Sequence, residues 1–160
     1  MQVTGSRPKI VVTADGRGVV GHAGARLLVD LADVTGLTGG FSDALGSLRQ
    51  RRAGHDPGRV AVDLAVMIAD GGEAIADLAV LRDQPGLFGK VASDATAWRL
   101  LSDLDDAVLG RLRAARARAR QQAWAQMIAT RGSLPSSMAA GRPVPGLVLD
   151  VDASIVICHS

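Results

Sequence analysis

The chain has 160 residues, enough for one domain with a hydrophobic core, or for one domain and the beginning of another. Its apolar fraction of 48% favours a folded protein, and the aromatic fraction of 2% means that Ala, Val and Leu must build the core. The net charge is only +2, with nearly all cations Arg and nearly all acids Asp. A GC-rich coding sequence produces this bias whatever the function, so the charge alone does not indicate a nucleic-acid partner.

Two features bear on the compartment. The single cysteine, Cys158, excludes an internal disulfide and fits a reducing environment, so a cytoplasmic location is expected. The longest apolar stretch, residues 60–81, contains acidic residues that are costly in hydrocarbon. These are Asp63, Asp70, Glu73 and Asp77. We therefore expect no membrane span and no membrane partner.

The first elements in chain order are a hairpin and a helix. Residues 9–13 and 19–20 are short apolar runs on either side of a turn signal at 14–18, a pattern typical of a small β-hairpin. A helix is predicted over 23–36, with Gly36 ending it in a left-handed cap. The apolar positions at helical spacing are Leu27, Leu28, Leu31 and Val34.

Two further helices are predicted before residue 73. Ser42 is placed to cap the first of them, which carries Phe41, Leu45 and Leu48 on one stripe. Asp56 followed by Pro57 is the clearest helix start in the chain, as N-cap and first helical residue. The apolar stripe of that helix is Val60, Leu64, Met67 and Ile68. The Gly71-Gly72 pair is predicted to end it.

The second half predicts three more helices and a linker. A helix is expected from Glu73 to Arg82. A short helix capped by Ser93 follows, with Trp98, Leu101 and Leu100 on its inner face. A long helix follows from about Asp103 to about Arg131, with its inner stripe formed by Leu104, Val108, Leu112, Ala115 and Ala119. Residues 132–146 are rich in Gly, Pro and Ser, which indicates a linker.

The carboxyl-terminal run, residues 147–157, predicts a strand that carries two carboxylates. Asp150 and Asp152 lie two positions apart, so in a strand they project to the same face about 7 Å from each other. Paired carboxylate oxygens are what Mg²⁺ prefers, and acids inside so apolar a strand are costly unless they hold something. The alternative, that both are polar residues on a solvated strand face, stays open.

Five arginines cluster on the predicted long helix: Arg111, Arg113, Arg116, Arg118 and Arg120. No acid lies between Gly110 and Arg131. Guanidinium groups suit phosphate contacts, and such a cluster gives DNA affinity that depends on salt and not on sequence. The alternative is the solvated face of a long helix. The histidines lack cysteine or histidine neighbours at metal-ligand spacing, and Trp98 and Trp124 are expected in the core.

Two families begin with a strand like 147–157. Asp150-Val-Asp152-Ala-Ser154 is similar to the Asp-x-Asp-x-Thr motif of haloacid dehalogenase-like phosphatases, although that motif normally opens its domain. More of the chain resembles the amino-terminal part of a DDE transposase of a bacterial insertion sequence. The segments that carry this resemblance are GHAGARLL at 21–28, HDPGRVAVDLAVMIADGGE at 55–73, LRDQP at 81–85, VASDATAWRLL at 91–101 and LVLDVDAS at 147–154.

The resemblance implies a helical DNA-binding region before an RNase H-like catalytic core. In that family three carboxylates hold two Mg²⁺ ions for phosphodiester cleavage and strand transfer. Asp152, followed two residues later by Ser154, matches the first carboxylate best, and Asp150 is the second choice. The chain ends here, so we expect a truncated, catalytically incomplete transposase fragment. Its partners would be DNA at the transposon ends and a full-length transposase.

Together these arguments predict a mainly α protein. The small amino-terminal β-hairpin and a helical, DNA-binding region occupy residues 1–131, the linker 132–146, and the first strand of an incomplete RNase H-like α/β core 147–160. The alternatives in function are a fragment of a haloacid dehalogenase-like phosphatase and a non-enzymatic helical interaction module.

Overall fold

The computed structural model describes residues 7–13, 21–49, 54–146 and 148. Most of them are helical, as predicted. The helices are α1 (Ala23–Val34), α2 (Leu37–Ala44), α3 (Pro57–Ala69), α4 (Leu78–Arg82), α5 (Pro85–Phe88), α6 (Asp94–Ser102) and α7 (Asp106–Arg131), with single 3₁₀ turns at Gly46–Leu48 and Ile75–Asp77. The chain divides into two compact units, Met1–Ala123 and Trp124–Ser160. In the described residues no helix combines the length and apolarity that crossing a membrane requires.

The first unit is built around α3, which packs against α2 at closest range through Gly58. A Cβ on Gly58 would lie 2.1 Å from the backbone nitrogen of Ser42 and 2.6 Å from the carbonyl carbon of Phe41. Only a residue without a side chain allows the two backbones to approach this closely. Around this crossing, the largest fully buried side chains are Phe88, Leu45, Leu78, Leu81, Val29 and Val62.

Helix α3 begins as the sequence predicts. The Asp56 carboxylate accepts a hydrogen bond from the backbone N–H of Arg59 at 3.0 Å, and Pro57 is the first helical residue. The same carboxylate accepts from the Ser42 hydroxyl at 2.5 Å and lies 3.3 Å from a guanidinium nitrogen of Arg49. Asp56 thus joins α2, the 3₁₀ turn that follows it, and α3.

The predicted role of Ser42 as a helix cap is wrong. Helix α2 starts at Leu37, directly after Gly36, whose φ of 74° lets the chain turn from α1 into α2 within two residues. Ser42 therefore lies inside α2, where its hydroxyl donates to the carbonyl of Thr38 and to Asp56. The left-handed Gly36 at the end of α1 is confirmed.

Helix α1 is confirmed, but its apolar stripe faces solvent. Leu27, Leu31 and Val34 are 53%, 55% and 64% exposed, whereas Ala25, Val29 and Ala32 are buried. The inward face also contains Arg26, which donates to the carbonyl of Leu87 at 2.6 Å and to Asp30 at 2.8 Å. Small residues bring α1 close to its neighbours, and the arginine stem covers apolar surface.

Helix α6 shows a similar difference. Ser93 caps it as predicted, by accepting from the backbone N–H of Thr96 at 3.4 Å. However, Trp98 is 63% exposed, Leu101 is also exposed, and Ala97 and Leu100 provide the buried face. The prediction of Trp98 and Leu101 on the inner face was therefore wrong. Trp124, also expected in the core, is exposed.

The β structure differs from the prediction in position. Residues 7–13 form no strand, and the rest of the predicted hairpin, 14–20, lies outside the described residues. Instead Arg7 ties the amino-terminal segment to α3 through a 2.8 Å ion pair with Asp63, both side chains being almost fully buried.

Two short antiparallel strands occur in the second unit, within the stretch predicted as a linker. Strand β1 (Met138–Ala139) pairs with β2 (Arg142–Pro143), with Met138 opposite Pro143. The turn between them uses positive φ at Ala140 and Gly141. The predicted strand at 147–157 lies outside the described residues except for position 148, so its assignment to an RNase H-like sheet stays a prediction.

Candidate nucleic-acid interface

Helix α7 carries the arginine cluster, and local capping sets where it starts. The Asp105 carboxylate accepts from the backbone N–H of Val108 at 2.7 Å, so α7 begins at Asp106, three residues after the predicted Asp103. It ends at Arg131, as predicted. The buried stripe in the first unit is Val108, Ala115 and Ala119.

All five predicted arginines are exposed, and they divide into two groups. With the 3.6-residue period of an α-helix, Arg113, Arg116 and Arg120 lie within about 60° of one another on one side of the buried stripe. We call these three residues the arginine face. By the same period, Arg111 and Arg118 lie within about 20° of each other on the other side of the stripe.

Arg111 is engaged in holding α7 in place. Its Nε donates to the carbonyl of Ala44, the last residue of α2, at 3.0 Å, and a terminal nitrogen donates to the Ser47 hydroxyl at 3.2 Å. A cation bound to the last carbonyls of a helix satisfies acceptors that have no partner within that helix. Arg111 is therefore a structural anchor between α7 and α2.

A second contact joins the same two helices. A Cβ on Gly40 would lie 3.2 Å from the Ala115 Cβ, so small residues on both helices set their close approach. Arg118 borders a shallow depression beside this contact, together with Asp33. Its surroundings thus include an acid, whereas the sequence of α7 after Asp106 contains none.

A second basic region lies at the start of α3 and the end of α6. A pocket of about 300 Å³ is lined by Leu48, Arg49, Gly54, His55, Pro57, Val60, Thr96, Arg99, Leu100 and Asp103. Burial lowers the pKa of His55 below its usual 6.5, and the positive charges of Lys90 and then Arg59 lower it further. We call this pocket the basic pocket.

We expect Lys90→Gln to raise the pKa of His55, because Lys90 lowers this pKa more than the other nearby cation, Arg59, does. The unfolded chain binds a proton at His55 more readily than the folded chain does. The free energy of unfolding should therefore fall as pH falls from 6.5 through the lowered pKa, and it should fall less in the Lys90→Gln variant. An NMR titration of the His55 ring protons measures the shift. The matched control is Lys9→Gln, and an equal shift in both variants would contradict the assignment.

The predicted metal ligands Asp150 and Asp152 lie outside the described residues. Within the part of the chain that the structure describes, no group of three or more His, Cys, Asp or Glu side chains is arranged to hold a metal ion. His22 instead contacts Asp70, with 2.5 Å between Nδ1 and Oδ2.

Two features of this surface were missed at the level of sequence. The anchoring role of Arg111 depends on a carbonyl 67 residues away, which no local pattern reveals. The basic pocket combines side chains from three separate segments. Charged residues near the ends of helices, such as Arg49 and Arg99, are the one signal in the sequence that could have indicated it.

Comparison with known proteins supplies the family. The family model described as transposase DDE domain group 1 matches residues 2–160, which is nearly the whole chain. No significant match was found among curated proteins or among solved structures. The match gives no support to the phosphatase or to the non-enzymatic helical module. The chain belongs to the transposase DDE domain family.

Proposed function

We propose that this chain binds DNA for transposition, and that the arginine face of α7 contacts the phosphate backbone. The observation that carries the proposal is the placement of Arg113, Arg116 and Arg120 on one exposed side of a helix whose sequence has no acid after Asp106. Membership of a transposase family makes DNA the expected polyanion.

The way α7 is attached supports this proposal. Arg111 and the Gly40–Ala115 contact fix the helix against α2 over the same turns that carry the arginine face. From Arg113 to Arg120 the helix rises about 10 Å, so the three arginines are spread in a row along the helix axis. Such a line of cations suits consecutive phosphates, and planar guanidinium groups bind phosphate oxygens in pairs.

The family chemistry also needs carboxylates for metal ions. We propose Asp152, with Asp150 as the alternative, as one of the carboxylates that bind Mg²⁺, because alternate residues of a strand share a face. These carboxylates would hold Mg²⁺, which would supply Lewis-acid chemistry for phosphodiester cleavage and strand transfer. The proposal for these two aspartates rests on the sequence and on family membership.

Salt dependence tests the DNA-binding proposal. If the three arginines of the face neutralise phosphates, the logarithm of the DNA association constant should fall as the logarithm of the salt concentration rises. The slope of this plot should be about −2.7 or steeper. Fluorescence anisotropy with a labelled duplex measures this slope. Binding that does not respond to salt, or no binding at low salt, would contradict the proposal.

A further inference from the structure

The basic pocket is lined by two chemically different groups of side chains. The apolar group is Leu48, Pro57, Val60 and Leu100, of which Val60 and Leu100 also belong to the buried core. We call these four residues the apolar wall. The polar and charged group is Arg49, His55, Thr96, Arg99 and Asp103. A ligand that presents both an apolar surface and a negative charge matches this lining.

The cations of this pocket are incompletely neutralised. Arg99 donates to the carbonyl of Ala95 at 3.1 Å and to the Thr96 hydroxyl at 3.2 Å, both on its own helix, and makes no ion pair with the described acids. Arg49 forms an ion pair with Asp56 at 3.3 Å, so Arg99 is the lining arginine whose charge has no acidic partner among the described residues.

Lys90 adds a further positive charge beside the pocket. Its Nζ is 3.9 Å from where a Cβ on Gly54 would lie. Asp103 is the one acid among the lining residues, and Asp56 pairs with Arg49, so the three cations Arg49, Arg99 and Lys90 outnumber these two acids by one. This excess of positive charge favours an anionic ligand over a neutral or cationic one.

The pocket lies next to the anchor of α7. Ser47, which accepts a hydrogen bond from Arg111, directly precedes Leu48 in the pocket wall. A ligand in the pocket would thus be close to the first turns of the helix that carries the arginine face. The pocket and the arginine face are two separate sites along the same helix, because Arg111 lies on the other side of its buried stripe.

We propose that the basic pocket binds a single unstacked nucleotide of the DNA, with its base against the apolar wall and its phosphate against Arg49 and Arg99. A base has a flat apolar face and a phosphate carries the charge, so one nucleotide supplies both properties that the walls require. Unstacking one nucleotide costs a few kcal/mol, least at an unpaired or single-stranded position. This inference rests on the proposed DNA binding, and it identifies one nucleotide as the part of the DNA that occupies the basic pocket.

The test is a titration with three small probes, followed by NMR at the amides of Thr96 and Leu48. The probes are deoxyadenosine monophosphate, deoxyadenosine and inorganic phosphate. We expect the monophosphate to bind at least tenfold more tightly than either of the others. Phosphate that binds as tightly as the nucleotide would show a simple anion site, and absence of binding by all three would show no site; either result overturns the inference.

Arg99→Gln is the variant that tests the phosphate contact. Its side chain bonds only within α6, so the fold should survive, which a thermal melt checks. We expect at least tenfold weaker binding of the monophosphate, and unchanged affinity would overturn the assignment. The control Arg113→Gln should leave nucleotide affinity unaltered while flattening the salt dependence of duplex binding. Failure of the pocket and failure of the arginine face are therefore seen in different measurements.

Discussion

Gly58→Ala is expected to lower the free energy of unfolding by about 3 kcal/mol, the upper end of the usual cost of overpacking a core. The added Cβ would lie 2.1 Å from the backbone nitrogen of Ser42, and its nearest neighbours are backbone atoms. A side chain can rotate away from such a clash, but a helix backbone cannot. The helices α2 and α3 must separate, and urea denaturation followed by far-ultraviolet circular dichroism measures the loss.

The matched control is Gly39→Ala in α2 itself. A Cβ at Gly39 meets nothing within 4 Å, and its φ is not positive. Alanine is favoured over glycine in a helix by about 0.5–1 kcal/mol, so this variant should be slightly more stable than the parent. Equal denaturation midpoints for the two variants would show that α2 and α3 do not meet at Gly58.

The second large effect is expected from Arg113, Arg116 and Arg120 changed together to Ala. Each phosphate contact contributes about 0.9 to the salt slope, so losing three should flatten it by roughly 2.7 and weaken DNA binding at low salt. The arginine stems also cover apolar surface, so the comparison must be made on folded protein, with thermal melts of both samples. Fluorescence anisotropy over a salt series gives the slopes.

Single substitutions on the same helix provide the controls. Arg116→Ala should flatten the slope by about one unit, and Arg118→Ala, on the other side of the buried stripe, should leave it unchanged. Arg111→Ala should lower stability, since it removes the bonds to Ala44 and Ser47, without changing the slope. If the triple variant keeps both affinity and slope, α7 is a solvated face, and DNA contacts must be sought at Arg49 and at the two arginines that follow it in the sequence, Arg51 and Arg52.

Local signals predicted the helix ends well where one residue decides the conformation. Asp56 before Pro57, Ser93 before α6 and Gly36 after α1 act through their own backbone or a neighbour three residues away. Both partners of such an interaction are close together in the sequence, so a local sequence pattern is enough to identify it. They therefore do not depend on how the helices later pack.

The orientation of helix faces was harder to predict, because packing decides it. In α1 the aliphatic stripe faces outward, since Arg26 bonds to the carbonyl of Leu87, 61 residues away. In α6 the small Ala97 is buried and the large Trp98 is exposed, so the smaller side chain, and not the more apolar one, faces the core. An apolar residue at helical spacing identifies a helix but does not by itself say which side is buried.

The candidate site was predictable in the same partial way. The exposure of the five arginines followed from their charge, and their division into two groups followed from the helical period. That Arg111 anchors α7 required the position of Ala44, and the basic pocket required three segments to meet. The assignment of Asp150 and Asp152 stays a prediction, since both lie outside the described residues.

The contact between Arg111 and the end of α2 has a consequence for local opening. When the first turns of α7 detach, the carbonyl of Ala44 loses its donor and the Ser47 hydroxyl loses its partner, so the turn that leads into the basic pocket loosens at the same time. Regions joined in this way exchange their amide hydrogens as one cooperative unit with a shared opening free energy. Leu112 follows Arg111 and Leu48 follows Ser47, so we expect the amides of these two leucines to belong to one such unit. A ligand that stabilises the start of α7 or the turn before the basic pocket should then protect both amides from exchange.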